Sequence, residues 1–148
     1  MTALTTSARQ DWLLDPALAP AVEGDVIRPL YDAAARGELV LPFCADCELP
    51  LELEQRTCDG CGGAERVWRQ VDPRGSVHTA TMMHRREPGL VRATDPYLIV
   101  DVEMGSGHRI VMTTLTPTDA MPRIGTPVRI GFRRLGDIAI PAVSPEDQ

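Results

Sequence analysis

The sequence predicts a mainly β protein in three parts: an N-terminal helical arm, a small cysteine-containing ribbon and a C-terminal barrel. All four cysteines lie in two Cys-x-x-Cys pairs between residues 44 and 61. A short stretch before them repeats apolar residues at the three- and four-residue steps of a helix. From residue 72 onward, short β-type segments alternate with Gly and Pro turns.

The arm comprises residues 1–37, with a frayed start and one predicted helix at residues 26–36. Pro29 falls in the first turn, where its missing amide costs little, and Gly37 suits the C-terminal cap. The apolar stripe of the helix consists of Ile27, Leu30, Tyr31 and Ala34. A helix this short needs a surface to pack on, so we expect this stripe to be covered.

The four cysteines follow a metal-ligand pattern. Cys44 and Cys47 are separated by ten residues from Cys58 and Cys61. One Cys-x-x-Cys turn directs two sulfurs to one point, and a second turn completes a tetrahedral site. Because four thiolates leave no open coordination position, the pattern predicts structural Zn²⁺ in a rubredoxin-like zinc ribbon, residues 38–71.

Other interpretations of the cysteines stay open at this point. A redox pair would need a strand-to-helix junction of the thioredoxin type, which neither pair has. Disulfides would need an oxidising compartment, and the polar N-terminus lacks the apolar core of an export signal. Iron also accepts tetrahedral sulfur ligands.

Three strands are predicted for the ribbon. Residues 39–43 lead into the first cysteine pair, and residues 51–56 alternate apolar and polar side chains toward the second pair. A third strand runs through Val67, Trp68 and Val71.

The barrel is predicted for residues 72–141, followed by a disordered tail at 142–148. Five strands with a break after the third fit an OB-fold barrel, and a helical turn starting at Thr118 is expected in the break. The predicted strands are residues 76–84, 97–104, 108–115, 128–133 and 137–141.

Composition excludes several functions. The net charge is -6, with 21 acidic and 15 basic residues, which disfavours nucleic-acid binding because that needs a cationic surface. Every basic residue is arginine, so lysine Schiff-base and P-loop chemistry are excluded. No apolar run is long enough to span a bilayer. We therefore expect a cytoplasmic protein that binds neither membrane nor nucleic acid.

No catalytic constellation is evident. His78, His84 and His108 are the only histidines, and each falls in a predicted strand. The sequence lacks a Gly-x-Ser-x-Gly elbow and a Gly-x-Gly-x-x-Gly loop. We therefore expect no catalytic residue in this chain.

The ordered set of motifs resembles a known family, the acyl-CoA-associated proteins with a zinc ribbon and an OB-fold that are catalogued as domain of unknown function thirty-five. The resemblance covers residues 11–141, with Glu48 standing where the family usually has glycine. The matching features are Tyr31, Gly37, residues 39–44, Cys58 to Gly62, Trp68, residues 74–77, Thr79, Thr81, Pro96, Tyr97, residues 100–104 and residues 124–128.

The resemblance implies a non-catalytic accessory subunit of a thiolase-fold enzyme. Its preferred partner is a lipid-transfer-protein-like aldolase, which in actinobacteria cleaves a β-hydroxy acyl-CoA during steroid side-chain breakdown. The absence of lysine agrees with such a GC-rich source. The subunit would bind and stabilise its partner and help to enclose the acyl-CoA. A different thiolase or ketoacyl synthase is an alternative partner.

Two groups of residues are candidates for these roles. Trp12, Leu30 and Tyr31 are candidates for partner docking, although Trp12 could equally pack on the protein's own core. The densest cationic cluster is His84, Arg85 and Arg86, with Arg92 nearby; it is either a solvated loop or a contact for the phosphates of coenzyme A. Arg133 and Arg134 form a weaker cationic candidate.

Two other function classes compete with this interpretation. OB-folds and zinc ribbons also occur in single-stranded nucleic-acid binders, but the predicted barrel offers only Tyr97 and Phe132 for stacking. A free-standing acyl-CoA thioesterase would need a catalytic group, for which His84 is the candidate to test.

Overall fold

A computed structural model describes residues 9–145 and the side chains of residues 10–144. The described chain contains one α-helix, one 3-10 turn and eight strands. These elements are the turn Pro16–Leu18, α1 (Arg28–Ala34), β1 (Arg9–Gln10), β2 (Val40–Cys44), β3 (Arg66–Gln70), β4 (Arg74–Met83), β5 (Tyr97–Met104), β6 (Arg109–Thr113), β7 (Pro127–Leu135) and β8 (Ile138–Pro145).

Strands β4 to β8 form the predicted five-stranded OB-fold barrel. β5 pairs with β4 and β6, while β7 pairs with β4 and β8, all antiparallel. A parallel bridge between Thr114 and Val143 joins the end of β6 to β8 and nearly closes the barrel. The inward side chains of β5, such as Val100 and Val102, are buried, as the alternating sequence predicts.

The ribbon has two strands rather than the predicted three. β2 pairs antiparallel with β3, so Cys44 lies opposite Arg66. The predicted strand at residues 51–56 is wrong: this segment is irregular, and its neighbour Pro50 forms a single bridge to Phe43. The alternating apolar and polar residues at 51–56 belong to a turn, in which Leu51 is buried and the acidic side chains face solvent.

The arm contacts the barrel at two places, first through β1 and then through α1. β1 pairs in parallel with the end of β7, and the chain continues to α1, which packs against β8 and β2. Gly37 has a φ of 76°, and its N–H donates to Ala34 O at 2.9 Å. Glycine adopts this left-handed conformation without steric cost, so it ends the helix as predicted.

One apolar core joins all three predicted parts. Leu30 from α1 and Leu39 and Leu41 from the ribbon belong to the same buried cluster as the barrel interior. The ribbon strand β2 therefore shares its core with the barrel. A smaller cluster of Cys44, Leu51 and Cys58 surrounds the sulfurs. The boundaries drawn at residues 37 and 71 stay predictions.

Two further sequence predictions are wrong. The segment from Thr116 to β7 has no helical turn at Thr118, because two prolines interrupt it. The predicted tail also starts too early, because Ala142 and Val143 are buried in β8. Residues 146–148 and residues 1–8 lie outside the described residues. In the described chain, no helix has the length and apolar character needed to cross a membrane.

Candidate functional site

Two similar turns present the four cysteine sulfurs. In the first, Glu48 N–H donates to Cys44 O at 2.9 Å, and Cys44 N–H donates to Leu49 O at 2.8 Å. In the second, Gly62 N–H donates to Cys58 O, also at 2.9 Å. Each turn folds its chain back within five residues, and this geometry brings both of its sulfurs to the same side.

The sulfurs form a compact cluster without disulfides. All four Sγ atoms lie within 4.8 Å of one another, and none is bonded to another. Cys44 Sγ is 3.6 Å from Cys61 Sγ, and Cys47 Sγ is 3.5 Å from Cys58 Sγ. A tetrahedral zinc with Zn–S bonds of about 2.3 Å would hold its sulfurs about 3.8 Å apart. The four residues therefore fit Zn²⁺ or another ion that accepts tetrahedral sulfur.

The thiol electrostatics favour a bound cation. The amides of Cys47 and Asp46 point at the Cys44 sulfur and lower the pKa of its thiol to about 7. The Leu49 amide favours the Cys47 thiolate, but the neighbouring Cys58 sulfur opposes it, and the pKa of Cys47 is raised to about 12. Without a cation, four adjacent thiolates repel one another. A divalent metal removes this conflict by displacing the protons.

His108 connects the ribbon to the barrel. It is buried at the start of β6, where its Nε2 lies 2.8 Å from Pro42 O and its Nδ1 lies 2.7 Å from Ser106 Oγ. Its ring also packs edge-on against Phe43 at a centroid distance of 4.9 Å. Burial lowers the pKa of His108, although the bond to Pro42 opposes this. The histidine is thus a structural link between the ribbon and the barrel.

Arg66 provides a second link that the sequence did not reveal. Its Nη1 donates to Leu53 O and Gln55 O, both at 3.0 Å, and its Nη2 donates to Val26 O at 3.1 Å. One guanidinium therefore holds the irregular ribbon loop to the start of the arm helix. No local pattern indicates such a role, because its acceptors are backbone carbonyls from two distant segments.

Comparison with known proteins gives a family match for the barrel. Residues 68–133 match the family model described as "ChsH2, C-terminal OB-fold domain". Comparison with curated protein sequences gave no match.

A solved structure shares the fold well beyond the barrel. A chain of the structure described as "Ltp2-ChsH2(DUF35) aldolase" is 23% identical, with a TM-score of 0.71. The alignment covers 86% of this chain and 98% of that chain. Coverage of this extent includes much of the ribbon and arm as well as the barrel. At this level of identity the likeness shows a shared fold.

Only some residues of the predicted cationic cluster at positions 84–92 lie at the same site. At one end of the barrel, His84 and Arg92 line an open cleft of about 950 Å³. Arg85 and Arg86 do not line this cleft, and Arg85 instead pairs with Glu87. The hydrogen bond to Glu87 and its charge raise the pKa of Arg85.

The prediction that Arg133 is an available cationic contact is wrong. This side chain is only 2% exposed, and it lies inside the barrel end, where its Nη1 donates to Thr114 O at 2.9 Å. Its Nη2 lies 3.3 Å from Asp11 Oδ2. Asp11 is also buried, so the arm supplies the counter-ion for a barrel arginine. Arg134 stays exposed.

The three docking candidates differ in accessibility. Leu30 is only 4% exposed within the shared core, so the prediction that it contacts a partner is wrong. Trp12 packs on its own barrel: its Nε1 donates to Thr114 O at 3.0 Å, and the Arg133 guanidinium lies over its ring. Tyr31 is half-buried, and burial raises the pKa of its phenol, with Asp25 and Glu54 adding to the effect. Partner docking therefore stays a prediction for Tyr31.

Proposed function

We propose that this chain is a non-catalytic accessory subunit that binds and stabilises a thiolase-fold partner. The preferred partner is an Ltp2-like aldolase that cleaves a β-hydroxy acyl-CoA of steroid side-chain breakdown. In this assembly the chain would help to enclose the acyl-CoA. Zn²⁺ would be structural, held by Cys44, Cys47, Cys58 and Cys61.

The observation that carries this proposal is the extent of the structural match. A chain of the Ltp2-ChsH2(DUF35) aldolase is covered over 98% of its length. The family match of the barrel to ChsH2 supports the same assignment independently. A fold shared along nearly the whole chain favours a shared mode of assembly.

The chemistry of the described side chains supports an accessory role. The four thiols form one metal cluster, and His108 is occupied by Pro42 and Ser106. His78 is on the surface, 3.8 Å from Glu103. Ser106 and His108 do form a hydroxyl–imidazole pair, but the imidazole is buried against Pro42 and Phe43 of the ribbon, where it serves as a structural link. The catalytic groups would therefore come from the partner.

The cleft at the barrel end is the proposed contact for coenzyme A phosphates. His84 and Arg92 supply donors there, and Asp95 and Asp119 belong to the same lining. A phosphate would bind on the His84 and Arg92 side, because arginine matches its oxygens in charge and geometry. Arg86 is exposed two residues after His84 and would add to the local positive field.

Co-expression tests the proposal. The full chain is produced with each thiolase-fold protein of its source organism and examined by size-exclusion chromatography with light scattering. We expect one of them to co-elute, and we expect retro-aldol cleavage of a β-hydroxy acyl-CoA to require the complex. If every such protein elutes separately and is equally soluble and active alone, the accessory role is wrong.

Variants of the complex test the individual contacts. Tyr31→Ala should weaken co-elution, whereas Leu18→Ala, at an exposed arm position, should not. Arg92→Gln should raise the KM for the acyl-CoA about tenfold with little change in kcat, because a charge-assisted hydrogen bond to the bound substrate is lost. Arg123→Gln, at an exposed position that does not line the cleft, is its control. Equal KM values for the two variants would exclude the phosphate contact.

A further inference from the structure

Strand β6 has one paired edge and one unpaired edge. Met104 N–H donates to His108 O at 2.8 Å, and the register of β5 with β6 runs on from this pair without a shift. Hydrogen-bonded and non-hydrogen-bonded pairs alternate in an antiparallel ladder, so Ile110 and Met112 bond to β5. The backbone N–H and C=O groups that point away from β5 are therefore those of Arg109, Val111 and Thr113.

No segment of the described chain covers this second edge. β6 meets β8 only at the bridge between Thr114 and Val143, beyond its last residue. The helix α1 packs against β8 and β2, and a half-open groove of about 270 Å³ lies between it and β6. Val111, at the centre of β6, is 64% exposed. Among the described residues, the outward backbone groups of β6 thus have no backbone partner.

The β6 edge lacks the usual protection against pairing with another chain. Soluble proteins often protect exposed edge strands with a lysine, a proline or a bulge. The free edge of β4 follows this rule, because β4 leaves β7 after Ser76 and has a bulge between Val77 and Thr79. β6 reads RIVMT and has a regular register, and the charge of its Arg109 is paired with Asp101. This edge therefore stays competent to pair with an added strand.

The rim of the groove beside this edge is acidic. Tyr31 lines the groove, and burial raises the pKa of its phenol, with the nearby carboxylates of Asp25 and Glu54 adding to the effect. Neither carboxylate forms an ion pair among the described residues, whereas Arg28, at the start of α1, is paired with Glu23. Negative charge without a counter-ion favours an occupant with basic side chains.

The same charges make a second copy of this chain a poor occupant. Antiparallel pairing of two β6 edges would bring two acidic rims together, and each chain carries a net charge of -6. Like charges placed opposite one another oppose association. A strand of another protein with arginine or lysine near its ends is attracted to this edge instead.

We propose that the β6 edge is a docking site for an extended segment of another protein, with small apolar side chains at its centre and basic residues on either side. The segment adds a strand to the barrel, and its backbone bonds to Arg109, Val111 and Thr113. Side chains on one of its faces enter the groove beside Ile27 and Tyr31. This site does not depend on which enzyme the chain accompanies, so the docking site and the proposed function can fail separately.

A synthetic peptide, acetyl-Arg-Thr-Val-Thr-Val-Thr-Arg-amide, tests this site. Two control peptides keep every side chain but carry N-methyl groups, one on the threonine amides and the other on the valine amides. Only alternate amides of an added strand face the edge, so strand pairing is blocked by one set of methyl groups and tolerates the other. A third control has glutamate in place of both arginines.

The full-length, zinc-loaded chain is titrated with each peptide while backbone amides are followed by ¹H–¹⁵N NMR. We expect the parent peptide to shift the Val111 and Thr113 amides and to slow their hydrogen exchange. One N-methylated form should bind at least about tenfold more weakly, the effect of about two hydrogen bonds, and the other should match the parent. The glutamate peptide should bind severalfold more weakly at low salt, and added salt should reduce this difference.

Substitutions at Val111 provide a matched pair of variants. Val111→Pro removes an outward N–H, which an edge strand tolerates, and should weaken binding at least about tenfold. Val111→Thr keeps this N–H and should bind like the wild type.

The proposal is overturned if the parent peptide does not shift these amides, if both N-methylated forms bind as tightly as the parent, or if the glutamate peptide binds equally well. It is also overturned if light scattering shows that the free chain is a dimer in which the Val111 amide is already protected from exchange, because a second copy then occupies the edge. The wild-type measurements decide these outcomes even if Val111→Pro fails to fold.

Discussion

Glu48 and Gly62 occupy equivalent positions in the two cysteine turns, and both have left-handed backbone conformations. Their φ angles are 67° and 79°, and each donates its N–H to the carbonyl of the first cysteine of its turn at 2.9 Å. Glycine adopts this conformation freely, whereas a residue with a Cβ is strained in it. Glu48 is the only non-glycine residue with a positive φ in the described chain.

We expect Glu48→Gly to stabilise the protein by about 1 kcal/mol, because it relieves the strained conformation. The exposed ion pair between Glu48 and Arg69 is lost, but such surface pairs contribute little. Denaturant unfolding of the zinc-loaded protein measures the change. Gly62→Ala is the matched control and should lower the free energy of unfolding. A Glu48→Gly variant that is less stable than the wild type would contradict the strain argument.

Loss of one buried metal ligand should affect the barrel as well as the ribbon. Cys58→Ser removes a ligand from the cluster, and metal binding in such ribbons is folding energy. Because Leu39 and Leu41 belong to the barrel's core, we expect a loss of several kcal/mol and a Tm lower by about 10 °C. Metal analysis and thermal unfolding followed by circular dichroism provide the measurements.

The control for this experiment is Asp59→Ser, at the exposed neighbouring position. This variant should keep its metal and its Tm. If Cys58→Ser loses the metal while hydrogen exchange in β5 stays as slow as in the wild type, the ribbon and barrel are energetically separate. The shared core would then be wrong as an account of stability.

His108 should make stability depend on pH. Burial lowers its pKa below the ordinary value of 6.5, so the unfolded chain takes up a proton before the folded chain does. Its contribution to stability is therefore complete above pH 6.5 and is lost as the pH falls from 6.5 toward the folded pKa. Urea unfolding at pH 7.5, above this value, and at pH 6.0, about half a unit below it, measures the loss of stability.

The comparison for this measurement is between His108→Asn and His84→Asn, because metal release at low pH affects every variant alike. The His108→Asn protein should be less stable at pH 7.5 and should lose less stability on acidification than the wild type. The His84→Asn protein, changed at an exposed position, should match the wild type at pH 7.5. Identical pH slopes for wild type and His108→Asn would exclude the histidine as the source.

Removing the charge of only one partner in the buried Asp11–Arg133 pair should lower the free energy of unfolding. Asp11→Asn keeps the Oδ1 acceptor for the N–H groups of Leu13 and Leu14 but leaves the Arg133 charge unpaired. We expect a loss of about 3–5 kcal/mol. In an Arg133→Met background, the same Asp11→Asn change should cost less than about 1 kcal/mol, because no charge is left to compensate.

A surface pair provides the matched control for this cycle. Glu23 and Arg28 lie 3.4 Å apart with most of the Glu23 side chain exposed, so Glu23→Gln should change stability by less than about 0.5 kcal/mol. Denaturant unfolding of the full set measures the coupling energy. Additive effects of Asp11→Asn and Arg133→Met would show that the two groups do not interact.

Local sequence patterns correctly predicted most of the fold. The strand at residues 97–104 and the hairpin after it follow from alternation and glycine placement, both of which depend on near neighbours. Residues 51–56 also alternate, yet they form a turn. Alternation predicts a strand only if a second strand is available for pairing, and β2 bonds to β3 instead.

The sequence by itself determined the four-cysteine cluster, because each Cys-x-x-Cys turn is local and only a short loop separates the two. Tertiary structure alone decided which side chains are available for function. It buries Leu30 and Arg133, turns Trp12 onto the barrel and joins His108 to Pro42, 66 residues away. These contacts depend on how the arm and ribbon close over the barrel. No spacing within a single segment encodes that closure, because it results from burying one shared core.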